Sequence, residues 1–349
     1  MRFGLVFDDA FREHRSPFPH PERAERLDAV LDGLRNAEML EGAVRIPARS
    51  ARSDELTLIH DEDYVEMVLD AMENRSGFLD PDTFFSVGSR RASLLAAGGG
   101  IDLAAAVHSR EVDWGWAVVR PPGHHAERRR PRGFCIFNNI AVAAAGLLER
   151  GARRIAIIDW DVHHANGTQD AFWNDPRVLL CSIHQWPHFP GSGRSEEIGG
   201  EDAPGSTVNF PLPHGARDGD YLASFDRVIA PLVAEHSPDH ILLALGFDAD
   251  SRDPLAGHEL TTAAFGSLAK HARDLARDLC GGRVTAFLEG GYDRDAIAEG
   301  TAAVAAALAG ASTKNDPAIP PETEPSESGR SVIETTSGNI RDFWPGAGI

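Results

Sequence analysis

Seven short apolar runs, most of them rich in β-branched residues, alternate with longer alanine-rich stretches along most of this chain. The runs cover residues 3–7, 116–119, 154–158, 178–183, 207–210, 241–245 and 284–288. Strands that are apolar almost throughout, rather than at every second position, suit a parallel sheet covered on both faces. The stretches between them, 23–40, 90–108, 138–150, 220–235, 261–279 and 294–308, have helical composition. Strand–helix alternation predicts one α/β domain: a central, mostly parallel sheet with helices on both faces. The domain is expected over residues 1–310. A Pro/Ser/Glu-rich linker is expected over 311–332, and a tail over 333–349 whose Phe343 and Trp344 suit it to docking.

Charge and cysteine content narrow the function classes. A formal net charge of -19 without a lysine-rich arm argues against nucleic acid as a partner. The one basic run, RRRPR at 128–132, reads as a solvated loop or the rim of a binding site. Cys135, Cys181 and Cys280 are scattered and odd in number, which points to a reducing compartment. No stretch is long and apolar enough for a membrane helix, and the first residues lack signal-peptide character. The expectation is a cytoplasmic protein with no membrane partner.

Chemistry-bearing residues follow the expected strands. In open α/β sheets ligands bind beyond the carboxyl ends of the strands. His124 and His125 lie after one run; Asp159, Asp161 and His163 after another; Asp248 and Tyr292 after two more. Asp161 and His163 are two residues apart, so in extended chain they point to one side and can share an ion. Asp248 is the best candidate for a third ligand. Two carboxylates and an imidazole suit Zn²⁺ or Fe²⁺ and leave a position open, as catalytic sites do. Neighbouring histidines suit proton transfer, and each needs an acceptor behind it; Asp159 and Asn166 are the candidates. The turn EGGY at 289–292 would aim the Tyr292 hydroxyl inward as an oxyanion donor.

Seven ordered motifs carry a resemblance: RPPGHHA at 120–126, GFCIFNN at 133–139, IDWDVHHANGTQ starting at 158, SIHQWPHFPGSG starting at 182, GFDAD at 246–250, DPLAG at 253–257 and LEGGYD at 288–293. The chain resembles the histone-deacetylase superfamily, which includes deacetylase-like amidohydrolases and acetylpolyamine amidohydrolases. The resemblance implies a three-layer arginase/deacetylase-like fold and one zinc ion held by Asp161, His163 and Asp248. It implies that Asp159 backs His124, that Asn166 backs His125 as general base, and that Tyr292 steadies the transition state. Asn166, where class I members carry Asp, and the DPLAG segment point to the class II-like branch.

The resemblance further implies an acyl tunnel walled by Gly133, Phe134 and Phe189, with Leu255 at its mouth and Arg26 at its floor. It implies potassium near Asp159, Asp161, His163, Ser182 and Ile183, and at a second site formed by Phe172, Asp175, Val178 and Ser206. The implied reaction is hydrolysis of an N-acyl amide, with acyl-lysine or a small acylated amine as substrate. An acetylpolyamine substrate is the nearest alternative. It is weakened because Leu255 stands where polyamine-cutting relatives place a glutamate, although Glu196, Glu197 or Asp253 could substitute. A binuclear arginase-type ureohydrolase would need a further carboxylate after the Asp-x-His pair, and a non-catalytic acyl-ligand binder would lack a ligand, base or tyrosine. Homo-oligomerisation is left open.

Overall fold

The computed structural model describes residues 1–310 and 324–349. Ten strands occur in chain order: β1 (Phe3–Val6), β2 (Val44–Arg45), β3 (Gly77–Phe78), β4 (Phe84–Phe85), β5 (Trp114–Ala117), β6 (Ile155–Asp159), β7 (Val178–Gln185), β8 (Thr207–Leu212), β9 (His240–Leu245) and β10 (Val284–Leu288). Eight of them form one sheet in the order β2-β1-β5-β10-β9-β6-β7-β8, and every pairing is parallel. β3 and β4 form a separate antiparallel hairpin.

The central strands are buried along their whole length, so neither sheet face meets water. This is why their sequences lack alternation. Two groups of helices cover the sheet. Glu25–Asn36, Thr262–Cys280 and Arg294–Ala309 pack on one another in one group, and Ser89–His108 and Asn139–Glu149 in the other. The expected α/β architecture is therefore present. The strand expected at 116–119 begins two residues earlier, because Trp114 stacks on Phe3 and its residue pairs with β1.

The helix Glu327–Ile340 starts inside the stretch read as linker, so residues 327–332 are helical rather than extended. Residues 311–323 of that linker lie outside the described residues. The helix packs on β8, the last strand of the sheet, and buries Ile333 and Ile340. Thr336 Oγ1 donates to the Asn209 carbonyl (2.8 Å), and Trp344 Nε1 donates to the Gly205 carbonyl (2.8 Å). Cys135, Cys181 and Cys280 are free and buried. Among the described residues, no helix is long and apolar enough to cross a membrane.

Candidate metal centre

Because the sheet is parallel, the carboxyl ends of its strands share one edge. β5, β10, β9 and β6 are consecutive neighbours. The loops leaving these four strands carry His124 and His125, Glu289 to Tyr292, Asp248, and Asp159 to Asn166. Residues as far as 166 positions apart in sequence therefore meet: the Gly123 N–H donates to Glu289 Oε2 (2.7 Å).

Asp161, His163 and Asp248 are buried, and one ligand atom from each lies within 4.8 Å of the others. His163 Nδ1 is 3.1 Å from both Asp161 Oδ1 and Asp248 Oδ2. Atoms bound tetrahedrally to one ion at about 2.0 Å sit roughly 3.3 Å apart, so these side chains fit a zinc-sized cation with little movement. Each carboxylate is fixed through its remaining oxygen. Asp161 Oδ2 accepts from the Gly290 N–H (2.7 Å), and Asp248 Oδ1 from the Val162 N–H (2.9 Å). Burial opposes charge on His163, but hydrogen bonds to Asp161 and Asp248 overcome it and raise the imidazole to about 10. Two buried carboxylates thus create a place that favours positive charge, which is what a divalent cation supplies.

Gly290 is required here. A Cβ at this position would collide with Asp248 Oδ2 and Asp161 Oδ2. The glycine turn lets the backbone reach the carboxylates and still deliver Tyr292 beyond them.

The two histidines differ in their surroundings. His124 Nδ1 is 3.0 Å from Asp159 Oδ2, and its Nε2 is 3.8 Å from Asp161 Oδ1. Burial lowers its pKa, but the charges of Asp161 and Asp159 prevail and raise it to about 10. His125 Nδ1 lies 2.7 Å from Asn166 Oδ1. Burial, reinforced by positive charge on His124 and His163, holds it well below the usual imidazole range. A carboxylate backs the first histidine and a neutral amide the second.

Tyr292 is half-buried. Its N–H donates to Asp253 Oδ2 (2.7 Å), and the Arg26 guanidinium lies 5.0 Å over its ring. Burial pushes its phenol well above the usual value; Arg26 opposes this, and the charges of Asp248 and Asp161 add to it. Arg26 is buried beneath the turn and donates to the Gly291 and Glu289 carbonyls. A cavity of about 780 Å³ opens beside Tyr292, lined in part by His20, Arg23 and Pro254.

Phe189 meets the His125 ring edge-on at 5.0 Å and the His163 ring at 6.1 Å, and Phe134 meets Tyr292 at 6.1 Å. Both phenylalanines thus border the site. Gly133 sits against His125 and Phe189, where a side chain would clash. Phe134 has φ +69, a left-handed conformation that Thr83 Oγ1 helps hold by accepting its N–H (3.2 Å). Leu255 is half-buried beside His188, which donates to its carbonyl (3.2 Å). Of the residues considered for potassium, Asp159, Asp161, His163, Ser182 and Ile183 lie at the site end of β6 and β7 or just beyond it. Phe172, Asp175, Val178 and Ser206 lie at the other end of β7, where Asp175 N–H donates to the Phe172 carbonyl and Val178 N–H to that of Asp175.

Two acids at the site were not singled out in the sequence. Glu289 is fully buried, and its Oε2 accepts from the N–H groups of Gly123 (2.7 Å) and His124 (3.1 Å). Burial raises its carboxyl to about 7 against the pull of His124. Glu127 Oε1 accepts from Asn166 Nδ2 (2.7 Å). Their signal, an acid inside a motif, was present in LEGGY and HHAE without anything to show what it touched.

The histone deacetylase domain family matches residues 20–308. A probable deacetylase of Archaeoglobus fulgidus is 40% identical over 313 residues, which cover 89% of this chain and 87% of that one. Histone deacetylase 5 of Arabidopsis thaliana is 36% identical across 99% of this chain, which spans 54% of that relative's length. A crystal structure of the HDA15 HD domain superimposes with a TM-score of 0.92 at 35% identity, covering 99% of this chain and 98% of the other. Sequence and fold agree over nearly the whole length, and the chain belongs to the histone deacetylase family.

Proposed function

We propose that this chain hydrolyses an N-acyl amide, most favourably N-acetyl-lysine in a peptide or protein, with one zinc ion per chain. The observation that carries this is the meeting of three buried ligand groups with two neighbouring histidines, one backed by Asp159 and one by Asn166. Asp161, His163 and Asp248 would hold the ion. When bound, it supplies Lewis acidity, polarising the acyl carbonyl and acidifying a water.

The remaining work falls to side chains. His125 donates its Nδ1–H to Asn166 Oδ1, which leaves Nε2 with a lone pair to take a proton from the attacking water. His124, its Nδ1 3.0 Å from Asp159 Oδ2, offers a second imidazole beside the reacting carbonyl. Once His125 has gained its proton, it can deliver it to the departing amine. Tyr292, whose phenol stays protonated through the neutral range, donates a hydrogen bond to the oxyanion as it forms. Phe134 and Phe189 shield an acyl-lysine stem from water, at about 0.8 kcal/mol for each buried methylene.

Several observations favour this over the alternatives. The second aspartate of GFDAD, Asp250, is engaged by Arg252 (2.8 and 3.0 Å), and His164 donates to Gln169 Oε1 (3.0 Å). Neither is free to hold a second ion as in an arginase-type centre. Asp253 accepts from Leu255 N and Tyr292 N, and Glu197 accepts from Gln169, Gly193 and Arg194. Those two acids are held by the chain's own N–H groups, and Leu255 stands where a polyamine-directed glutamate is expected, which favours acyl-lysine; Glu196 stays exposed. The cavity beside Tyr292 has room for the residues flanking an acyl-lysine. We place potassium at the two groups of residues named above. We take residues 1–310 as the catalytic unit and the C-terminal helix as an edge cover. Three buried free thiols favour the cytoplasm.

The test is a substrate panel of acetyl-lysine peptide, acetylputrescine, acetylspermidine and longer acyl-lysines, compared by kcat/KM before and after chelation. Acetyl-lysine peptide should lead, and chelation should abolish turnover until about one equivalent of zinc is restored. Activity that survives metal removal, or that needs two ions per chain, would refute the assignment.

A further inference from the structure

We propose that Glu127 is a positioning residue that decides which nitrogen of His125 accepts the proton. This rests on His125 acting as general base. An asparagine side chain has an oxygen end and an N–H end of nearly the same shape. With Asn166 Oδ1 facing His125 Nδ1 at 2.7 Å, the imidazole proton sits on Nδ1 and the lone pair on Nε2. With the amide turned over, Nδ2–H would donate to Nδ1, the proton would move to Nε2, and the base would be blocked.

Two groups fix the amide. Asn166 Nδ2 donates to Glu127 Oε1 at 2.7 Å and to the His125 carbonyl at 3.2 Å. Turned over, the Asn166 oxygen would face a carboxylate oxygen and a carbonyl oxygen, neither of which can donate. The bond to Glu127 is the shorter and is charge-assisted, so it is the stronger constraint. Glu127 is itself held. Its N–H donates to the Arg130 carbonyl (2.9 Å), and its carbonyl accepts from His60 Nδ1 (2.9 Å).

The same acid reaches the tunnel wall. Arg132 Nη1 is 3.6 Å from Glu127 Oε1, Arg132 Nη2 donates to the Pro190 carbonyl (2.8 Å), and the guanidinium lies 5.2 Å over the Phe189 ring. Phe189 packs edge-on against His125. Contacts therefore close a circuit from His125 through Asn166, Glu127, Arg132 and Phe189 back to His125. The 2.7 Å bond to Asn166 is the shortest link from Glu127 to His125, and removing the amide at 166 separates it from the longer route through Arg132 and Phe189.

A double-mutant cycle tests this. Aspartate at 166 has two equivalent oxygens, so nothing remains for Glu127 to orient. Glu127→Ala should lower kcat about 10- to 100-fold on acetyl-lysine peptide with KM within about twofold, a part of the roughly 10²–10⁴ that a placed base supplies. In the Asn166→Asp background the same change should cost less than about threefold, or raise kcat by removing a like charge. An equal cost in both backgrounds means a structural role and overturns the proposal. A second readout needs no turnover. Histidine ¹⁵N spectra should show the Nδ1–H form of His125 in the native chain, and a mixture with the Nε2–H form in Glu127→Ala. Unchanged spectra in a variant whose thermal midpoint matches the native one also overturn it; if Glu127→Ala unfolds, Glu127→Met replaces it. A native chain inactive on every acyl amine defeats the proposed function instead, and the spectra still decide the role of Glu127.

Discussion

Replacing Tyr292 with phenylalanine removes one hydroxyl and leaves the ring against Arg26 and Phe134. kcat for acetyl-lysine peptide should fall about 10²–10³-fold with KM nearly unchanged, the pattern of a donor used only in the transition state. A rise in KM alone would make Tyr292 a binding residue. Gly290→Ala tests the metal centre without touching a ligand. Its Cβ would collide with Asp161 Oδ2 and Asp248 Oδ2, so metal per chain after dialysis should fall well below one. Full retention, measured by elemental analysis, would show that the carboxylates can move aside. Asp161 and His163 were legible as two ligand types two apart just after a strand, although residues 161–163 bend rather than extend, with the His163 N–H donating to Asp161 Oδ1 (2.9 Å). Glu22 was not: it bridges buried Arg26 and Arg120, and only Arg26 is near it in sequence. A single acid in HPER carries no period to read.

At the level of elements, the long buried strands were legible and the short ones were not. β2, β3 and β4 have two residues each, too few for any pattern. The helix Glu327–Ile340 was missed because ESGRSVIETTSGNI is poor in strong helix formers. Tertiary contact forms it: Ser326 caps its first turn by accepting from the Gly329 N–H (3.0 Å), and Ile333 and Ile340 are buried. It also covers β8, which ends the sheet and would otherwise offer an unpaired edge. Deleting residues 324–349 should lower the thermal midpoint by roughly 10 °C and cause concentration-dependent association. Scanning calorimetry and light scattering would check this, and an unchanged midpoint would reduce the helix to decoration.

The molecule as a whole should be sensitive to mild acid. Burial holds His14 and His258 at about 3, and His60 and His236 at about 4. Unfolded, each binds a proton near pH 6.5. Between pH 6 and 4 the unfolded chain therefore carries more protons, and stability falls with pH. Each histidine contributes up to about 1.4 kcal/mol per pH unit. Urea midpoints should drop steeply over that range, and His60→Gln should flatten the slope; a flat native profile would contradict this burial. The place of β10 bears on synthesis. It is the last strand in sequence yet lies between β5 and β9. A nascent chain leaving the ribosome keeps a slot open in mid-sheet until residue 288 has emerged. The Gly290 amide that steadies Asp161 arrives just after it. Until then Asp161 lacks the backbone donor that holds its outer oxygen in the finished fold.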